Sequence, residues 1–320
     1  MIVITGAAGF IGSVLAKTML PLYDGEIVIV DDFTHQAKAS NLDALKGLLQ
    51  VDRGVFFDWL EEEHDIKAIF HIGARTDTTE FDYSILEEFN LDYTKRIWRY
   101  CAEKDTTLIY ASSAATYGDG EFGYDDSHDV VERLQPLNPY GISKNEFDKW
   151  ALKQADAPKH WYGLKFFNVY GPNEFHKERM ASVIFHAFNQ IQEKGEMKLF
   201  RSHNSDFKDG EQLRDFVYVK DVVNVIQFLF EEKPLSGLYN LGSGKARTFL
   251  DLTRSVFASL GKEENISFVD TPEDIRDKYQ YFTEANMAKL IAAGYSKSFT
   301  ILEDGVEDYV KNFLVGRKNY

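Results

Sequence analysis

The 320-residue chain has 36 Lys and Arg against 51 Asp and Glu, a formal net charge of −15 at pH 7. This charge argues against nucleic acid as a partner, because a surface that follows a polyanion needs clustered cations. It does not exclude one phosphorylated ligand that is held locally. The hydrophobic fraction of 44% is ordinary for a globular protein, and the length allows two lobes or one large α/β domain.

The single cysteine, Cys101, excludes an intrachain disulfide framework and fits a reducing compartment. It follows Ile97 and Tyr100 in an apolar helical pattern, which predicts a core position rather than a nucleophile. No stretch approaches the ~20 apolar residues of a membrane span, and the first residues lack the charged segment of a signal peptide. We therefore expect a soluble, cytoplasmic protein that does not bind membranes.

Short apolar runs alternate with longer amphipathic segments through the first half of the chain. The strands predicted from these runs are Ile2–Thr5, Glu26–Asp31, Val55–Phe57, Ala68–Ile72, Thr107–Ala111 and Gly163–Asn168. The predicted helices cover residues 10–22, 40–49, 83–103 and 141–154. Strands that alternate with helices predict right-handed crossovers and an α/β fold with a doubly wound parallel sheet of the Rossmann type.

After about residue 170 this alternation loosens into an α+β pattern. A predicted helix at 180–193 leads to a polar loop at 201–213, a strand at Phe216–Val219, a helix at 221–232 and a strand at Leu238–Leu241. We predict a dinucleotide-binding domain at 1–169 and a smaller substrate-binding lobe at 170–320. Elements at about 215–242 are candidates to return to the main sheet.

A glycine-rich segment follows the first predicted strand and opens the first helix: Gly6-Ala7-Ala8-Gly9-Phe10-Ile11-Gly12. Glycines allow a tight turn, close approach of a pyrophosphate to backbone N–H groups, and close packing of helix on sheet. The phosphate then lies at the positive end of a helix. The second strand ends in Asp31-Asp32, where a carboxylate would bind the adenosine ribose. This context predicts a dinucleotide site.

The choice between NADP and NAD is open from these residues. Asp31 and Asp32 would repel the 2′-phosphate of NADP, whereas Lys38 and Arg53 would neutralise it. Each cation, taken alone, is most simply a solvated surface charge. We favour NADP, with NAD as the alternative. Further cofactor contacts are expected at Ile72, Gly73, Ala74, Thr76 and Val169, and from Tyr140, Lys144 and Lys177.

A tyrosine and a lysine are predicted on one face of a helix, one turn apart, in the segment Tyr140-Gly-Ile-Ser-Lys144. Tyrosine is a poor base at its ordinary pKa of ~10, but a nearby ammonium and a positive nicotinamide ring would lower that pKa. Ser113 follows the fifth predicted strand, at the sheet edge where such folds bind ligands. It could hydrogen-bond a reacting oxygen while Tyr140 moves the proton, or merely satisfy its own loop.

Together these motifs resemble the extended short-chain dehydrogenases/reductases that act on nucleotide sugars. In the 4,6-dehydratase branch of that family the hydroxyl residue is followed by Asp-Glu. Here Ser113 is followed by Ala114-Ala115. The resemblance therefore implies epimerisation or simple redox chemistry rather than elimination of water.

The second half is similar to the ADP-glyceromanno-heptose 6-epimerases. The segments that carry this similarity are Phe167-Asn168-Val169-Tyr170-Gly171-Pro172, Glu174-Phe175-His176-Lys177, Met180-Ala181-Ser182-Val183-Ile184-Phe185-His186, Arg214-Asp215-Phe216-Val217-Tyr218-Val219 and Tyr279-Gln280. The resemblance implies that Lys177 is a second catalytic base opposite Tyr140. It implies substrate contacts at Asn168, His186, Phe200, Arg214 and Tyr279, and we expect others at Arg179, Arg201, Ser202 and His203. It also suggests a homo-oligomer, with a pentamer as the suggested order.

Residue chemistry agrees with part of this assignment. The planar guanidinium of Arg214 suits a diphosphate, and aromatic Phe200 and Tyr279 could flank a base or sugar. Taken singly, Lys177 also fits an exposed loop charge, and His186 an ordinary helix residue.

Three features depart from the family pattern. Arg179 replaces a small serine, Asp32 replaces a common asparagine, and the segment 204–213 is longer. These departures bear on substrate contacts and on the preference for NADP.

The resemblance implies that a bound cofactor transiently oxidises C6″ of ADP-D-glycero-β-D-manno-heptose and then reduces it on the other face, in lipopolysaccharide core synthesis. One alternative is an enzyme of the UDP-hexose 4-epimerase type, which shares every N-terminal motif but needs no Lys177. Another is a non-catalytic NAD(P)-binding regulator, for which loss of Tyr140 or Lys144 would be expected; neither is lost. The eight histidines include no paired ligand spacing on one helix, so no metal site is predicted.

Overall fold

The computed structural model describes residues 1–62, 65–77, 80, 82–276 and 279–320. Its strands are β1 (Ile2–Thr5), β2 (Ile27–Asp31), β3 (Leu49–Asp52), β4 (Ala68–His71), β5 (Thr107–Ser113), β6 (Trp161–Phe166), β7 (Asn168–Tyr170), β8 (Met197–Phe200), β9 (Leu213–Tyr218), β10 (Gly237–Leu241), β11 (Ala246–Thr248) and β12 (Ile266–Val269). Its α-helices are α1 (Phe10–Met19), α2 (Phe56–Glu61), α3 (Tyr83–Leu86), α4 (Tyr93–Glu103), α5 (Pro139–Leu152), α6 (Val183–Lys194), α7 (Val219–Glu232), α8 (Phe249–Leu260), α9 (Glu273–Arg276), α10 (Ala288–Ala292) and α11 (Leu302–Asp308).

The remaining helical segments are short and tighter or wider than an α-helix. The 3₁₀ segments are Gln36–Leu45, Ala114–Tyr117, His128–Arg133 and Phe175–Met180, and the π-helical segments are Glu87–Asp92 and Tyr309–Leu314. In the described part of the chain, no helix is both long and apolar enough to cross a bilayer.

The main sheet has seven parallel strands in the spatial order β10-β6-β5-β4-β1-β2-β3. Apolar clusters lie on its two faces, and its central strands are buried. This arrangement confirms the predicted Rossmann-type doubly wound sheet. The strand order reverses between β1 and β4, and ligands of such sheets bind beyond the C-terminal strand ends at that point.

Two smaller sheets lie outside the main one, with the orders β11-β9-β7 and β12-β8. The last main-sheet strand comes from the second half of the chain, because β10 pairs in parallel with β6. Elements at 215–242 were predicted to return to the main sheet. Of the strands there, β10 joins that sheet and β9 does not. The division into domains at residue 169 stays a prediction.

The strand predicted at Val55–Phe57 is wrong. The third strand is β3, paired in parallel with β2, and the apolar run belongs to α2. Phe56 and Leu60, four residues apart, are both buried, as on one face of a helix. A short apolar run does not by itself distinguish a buried strand from a buried helix turn.

Other differences lie at element boundaries and in the second half. The helix predicted at 40–49 is the 3₁₀ segment Gln36–Leu45, which ends before β3. The predicted strand that ended at Asn168 divides into β6 and β7. Helix α8 was not predicted, although Thr248 and Asp251 form a capping box at its start. Cys101 is fully buried, which confirms its predicted core position.

Candidate active site

The glycine-rich loop between β1 and α1 is held by close backbone contacts. Gly6 has φ +69°, and a Cβ there would lie 2.5 Å from the Cα of Gly73. A Cβ on Gly12 would lie 2.1 Å from the carbonyl oxygen of Gly6. Larger residues would therefore force the loop away from β4 and α1. Gly73, an expected cofactor contact, lies directly against the loop.

The two carboxylates that end β2 are each paired with one of the predicted cations. Asp31 accepts hydrogen bonds from the backbone N–H of Ala8, at 2.9 Å, and from Lys38 Nζ, at 3.1 Å. Asp32 lies 3.3 Å from Arg53 Nη2. Hydrogen bonds from Thr34 are the main cause of the lowered pKa of Asp32. The structure thus brings both cations to the strand end expected to meet the adenosine ribose.

The loop after β4 carries the other expected cofactor contacts: Ile72, Gly73 and Ala74 are half-buried, and Thr76 is exposed. Asn90 holds this loop, because its Oδ1 accepts from Arg75 N at 2.8 Å and its Nδ2 donates to Ser143 Oγ at 3.1 Å. The loop is thereby tied to α5. Asn90 was not predicted from the sequence; the available signal was a polar residue between Phe89 and Leu91 in the predicted helix at 83–103.

A serine, a tyrosine and a lysine meet where β5 ends and α5 begins. Asn138 caps α5 by accepting from Gly141 N at 2.8 Å, which places Tyr140 in the first turn. The Ser113 side chain lies close to the Tyr140 phenol, and its Oγ accepts from Ala115 N at 3.1 Å. Lys144 is buried, and its Nζ donates to the carbonyl oxygen of Ala111 at 2.7 Å. The predicted Ser113, Tyr140 and Lys144 are therefore neighbours.

Burial controls the ionisation of this group. It raises the pKa of Tyr140, and the nearby Ser113 side chain opposes the rise. Burial lowers the pKa of Lys144 to about 8, and the Asp148 carboxylate opposes that fall. In the protein alone the pKa of Tyr140 thus moves upward, opposite to the direction expected with a positive nicotinamide beside it. The Lys144 ammonium is directed at Ala111, so it does not offset the burial of the phenol.

Lys177 lies against the start of α1, with its Nζ 5.5 Å from the centre of the Phe10 ring. It is half-buried in the 3₁₀ segment that follows β7. Burial lowers its pKa, and Glu174 opposes the fall. Glu174 is itself buried and accepts from Ser182 N and Ser182 Oγ, each at 2.6 Å. Lys177 is therefore not a freely solvated loop charge.

Three predicted substrate residues form one cluster. The rings of Phe200 and Tyr279 meet edge to face with centroids 6.2 Å apart. The Arg214 guanidinium lies 5.4 Å from the centre of the Tyr279 ring and donates to the carbonyl oxygens of Leu213 and Gln280. Arg214 is only 9% exposed, and burial lowers its pKa. These contacts hold the guanidinium over the Tyr279 ring, which in turn packs against Phe200.

Arg179 extends from the 3₁₀ segment that carries Lys177 to the loop after β4. Its Nη2 lies 3.5 Å from Asp77 Oδ1, and its carbonyl oxygen lies 3.3 Å from His186 Nε2. Asn168 is exposed on β7 and donates to the carbonyl oxygen of Asp215 at 3.3 Å, and Val169 beside it is half-buried. These residues lie on segments that flank the Lys177 region.

Arg201, Ser202 and His203 follow β8 and form hydrogen bonds with other residues of the second half. Arg201 is exposed and donates to the carbonyl oxygen of Phe268. Ser202 N donates to Asp209 Oδ1 at 2.8 Å, and His203 N donates to the Tyr281 hydroxyl at 2.9 Å. His203 is thereby linked to the Arg214 cluster, because the Tyr281 ring meets the Tyr279 ring with centroids 5.5 Å apart.

Comparisons with known proteins agree with this arrangement. The model of the NAD dependent epimerase/dehydratase family matches residues 2–242. A Fusobacterium nucleatum protein named ADP-L-glycero-D-manno-heptose-6-epimerase is 47% identical over 331 residues, which cover 100% of each chain. A Nitratidesulfovibrio vulgaris protein of the same name is 45% identical over 98% of each chain. The crystal structure of Helicobacter pylori ADP-L-glycero-D-manno-heptose-6-epimerase matches with a TM-score of 0.80 and 27% identity, over 97% of this chain and 95% of that one.

Proposed function

The chain belongs to the NAD dependent epimerase/dehydratase family, and on that premise we propose that it inverts C6″ of ADP-D-glycero-β-D-manno-heptose to give the L-glycero epimer. The observation that carries the proposal is the Ser113, Tyr140 and Lys144 group at the C-terminal edge of the parallel sheet. Full-length similarity to proteins of that name supports the substrate. The product would serve lipopolysaccharide core synthesis.

The two alternatives are less well supported. An enzyme of the UDP-hexose 4-epimerase type shares the fold, but the relatives at 45% and 47% identity carry the heptose epimerase name. A non-catalytic regulator would have no use for Tyr140 beside Ser113 with Lys144 buried behind them. The oligomeric state and the cytoplasmic location stay predictions.

The glycine loop fits a dinucleotide, because the absence of a Cβ at Gly6 and Gly12 lets the loop pack closely against Gly73 and α1, as loops that bind a pyrophosphate do. A bound nicotinamide would accept a hydride from C6″ and return it to the resulting ketone. The start of α1 would hold the pyrophosphate, and Asp31 or Asp32 would bind the adenosine ribose. Similarity to structures with NAD bound shows the shared fold, and the family name supports a nicotinamide cofactor.

We assign proton transfer on one face of C6″ to Tyr140, with Ser113 hydrogen-bonding the reacting oxygen. Tyr140 is protonated at neutral pH in the protein alone, so it is ready to donate a proton in the reductive direction. Lys177 would serve the opposite face. Its lowered pKa makes the neutral amine, the form that can accept a proton, more accessible near neutral pH.

Substrate recognition would use the Arg214 cluster. A guanidinium that is already fixed by Leu213 and Gln280 loses little freedom when it binds a diphosphate. Phe200 and Tyr279 would contact the base or the sugar through their faces. Arg179 would approach from the other side, at the cost of its exposed ion pair with Asp77.

The test is incubation of the purified protein with ADP-D-glycero-β-D-manno-heptose and no added oxidant, with C6″ followed by NMR. We expect interconversion of the two epimers, and denatured protein should release a nicotinamide dinucleotide, because the hydride returns to the substrate in each turnover. UDP-glucose is the control substrate and should not be epimerised. A stoichiometric requirement for external NAD(P)⁺ would show a net dehydrogenase instead.

We further propose that NADP is preferred. Replacing both Lys38 and Arg53 by Ala should weaken NADP binding by at least about tenfold more than NAD binding, because a hydrogen bond to a charged group contributes ~1.5–3 kcal/mol. The change also leaves Asp31 and Asp32 without their cations, which increases repulsion of the 2′-phosphate. Dissociation constants by calorimetry measure the effect, with exposed Lys46→Ala as control. Equal losses for both dinucleotides would show that Lys38 and Arg53 do not recognise the 2′-phosphate.

A further inference from the structure

A buried ion pair lies directly behind the predicted catalytic group. Asp148 on α5 and Lys165 on β6 are both fully buried, and Lys165 Nζ lies 2.8 Å from Asp148 Oδ2. Burying two charges is costly unless their remaining hydrogen-bonding capacity is also satisfied. Here Asp148 accepts from the Tyr110 hydroxyl at 3.0 Å and from Ser112 Oγ at 2.7 Å. Lys165 donates to Thr116 Oγ1 at 2.8 Å.

These hydrogen bonds reach the backbone on both sides of Ser113. Ser112, bound to Asp148, precedes it in β5. Thr116, which accepts from Lys165, donates to the Ser113 carbonyl oxygen at 2.8 Å. The ion pair therefore fixes the strand end from which Ser113 meets Tyr140. The ion pair is thus linked to the residue before Ser113 and, through Thr116, to the Ser113 carbonyl oxygen.

Asp148 of the same ion pair also influences the charge of Lys144. Asp148 follows Lys144 by four residues, so the two lie one turn apart on the same side of α5. The carboxylate opposes the loss of charge that burial imposes on Lys144.

We propose that Asp148 and Lys165 are positioning residues for the site: the pair holds the end of β5 around Ser113, and Asp148 stabilises the charge of Lys144. The inference rests on the proposed function for its catalytic measurements and deepens it by adding two residues that touch neither substrate nor cofactor.

The groups around Lys144 give the direction of the expected pH effect. Tyr140 precedes it on α5, and burial keeps that phenol protonated. From β4, His71 is neutral, because burial and the Lys144 charge lower its pKa to about 3. From β5, Tyr110 stays protonated, since burial and Asp148 raise its pKa, and from β6 the Lys165 charge is paired. Removing the Asp148 charge should therefore lower the pKa of Lys144 below about 8.

A lysine is charged below its pKa, so activity that needs the ammonium is lost as pH rises through that value. The electrostatic test is the double variant Asp148→Asn/Lys165→Met, which leaves no unpaired charge in the core. We expect the alkaline limb of kcat to move to lower pH, by less than the about one to two units expected for loss of the Asp148 charge alone, because the Lys165 charge that repels Lys144 is removed with it. KM for the substrate should change little. Lys165→Arg, which keeps the ion pair, should retain the parent profile.

The matched control is the exposed pair on the same helix, Glu146→Gln/Lys149→Met, which removes the same two charges from a contact of 3.1 Å. Its pH profile should equal that of the parent.

The role of the ion pair in holding the end of β5 around Ser113 is tested by Thr116→Val, which keeps every charge but breaks the link to the Ser113 carbonyl. This variant should lose kcat several-fold, with KM and the alkaline limb unchanged.

A measurement without turnover separates this inference from the proposed function. The Nζ signal of Lys144 can be titrated by ¹⁵N NMR of the cofactor-bound protein and assigned with Lys144→Met. A lower Lys144 pKa in the double variant supports the inference even if the parent does not epimerise the substrate. Absence of epimerisation by the parent would refute only the proposed function. The inference is overturned by three results together. The parent is active, the double variant shows no shift in the Lys144 pKa or in the alkaline limb of kcat, and Thr116→Val keeps the parent kcat.

Discussion

Replacing Tyr140 by Phe is expected to lower kcat for epimerisation by ~10²–10⁴-fold, the usual effect of losing a general acid or base. Phenylalanine keeps the ring in the first turn of α5 and removes only the hydroxyl that meets Ser113. The fold and the bound cofactor should therefore be unchanged. Turnover is measured by NMR at C6″, and cofactor content by release on denaturation.

The control for this variant is Tyr100→Phe on α4, another half-buried tyrosine whose pKa is raised by burial. It should turn over at the parent rate. A Tyr140→Phe protein that keeps the parent kcat would remove Tyr140 from the mechanism. The Ser113 and Lys144 contacts would then have to serve another proton carrier.

Lys177→Met is expected to cause a loss of similar size, also ~10²–10⁴-fold. Inversion requires proton transfer at the C6″ oxygen in two orientations, and Tyr140 and Lys177 come from separate segments, at the start of α5 and after β7. Methionine keeps an unbranched stem against the Phe10 ring and removes the amine. Each single variant should still catalyse one redox half-reaction on an aldehyde analogue that needs no inversion.

Lys194→Met, at the exposed end of α6, is the control and should leave epimerisation unchanged. If Lys177→Met epimerises at the parent rate, the two-base mechanism is wrong. Lys177 would then be a cofactor contact beside the glycine loop. Retention of the half-reaction is the measurement that distinguishes a lost base from a damaged site.

Local patterns predicted the parts of the site that are local in sequence. The glycine loop lies within seven residues, and Tyr140 and Lys144 lie one helix turn apart, so spacing alone places them. The cluster of Phe200, Arg214 and Tyr279 spans about 80 residues. Its prediction depended on family resemblance, because no periodicity relates residues on different elements.

The pairing of charges was beyond sequence reasoning for a different reason. Lys38 and Arg53 were known as cations and Asp31 and Asp32 as anions, but which pairs form depends on where the Gln36–Leu45 segment and β3 place them. Asp148 and Lys165 look like ordinary charged residues in a helix and a strand. Only the packing of α5 on β5 and β6 reveals that both are buried. The Val55–Phe57 error has the same origin, since tertiary pairing chose β3 as the strand.

The parallel pairing of β10 with β6 has a consequence for how the protein is made. Seventy residues, 167–236, separate the end of β6 from the start of β10. At a synthesis rate of ~5–20 residues per second, β6 waits roughly 4 to 14 seconds for its edge partner. During that interval it presents an unpaired strand edge beside newly made apolar surface, which favours association between nascent chains. The sheet that would hold the cofactor is thus completed only after nearly half of the predicted substrate-binding lobe has been synthesised, so the two predicted lobes cannot fold strictly one after the other.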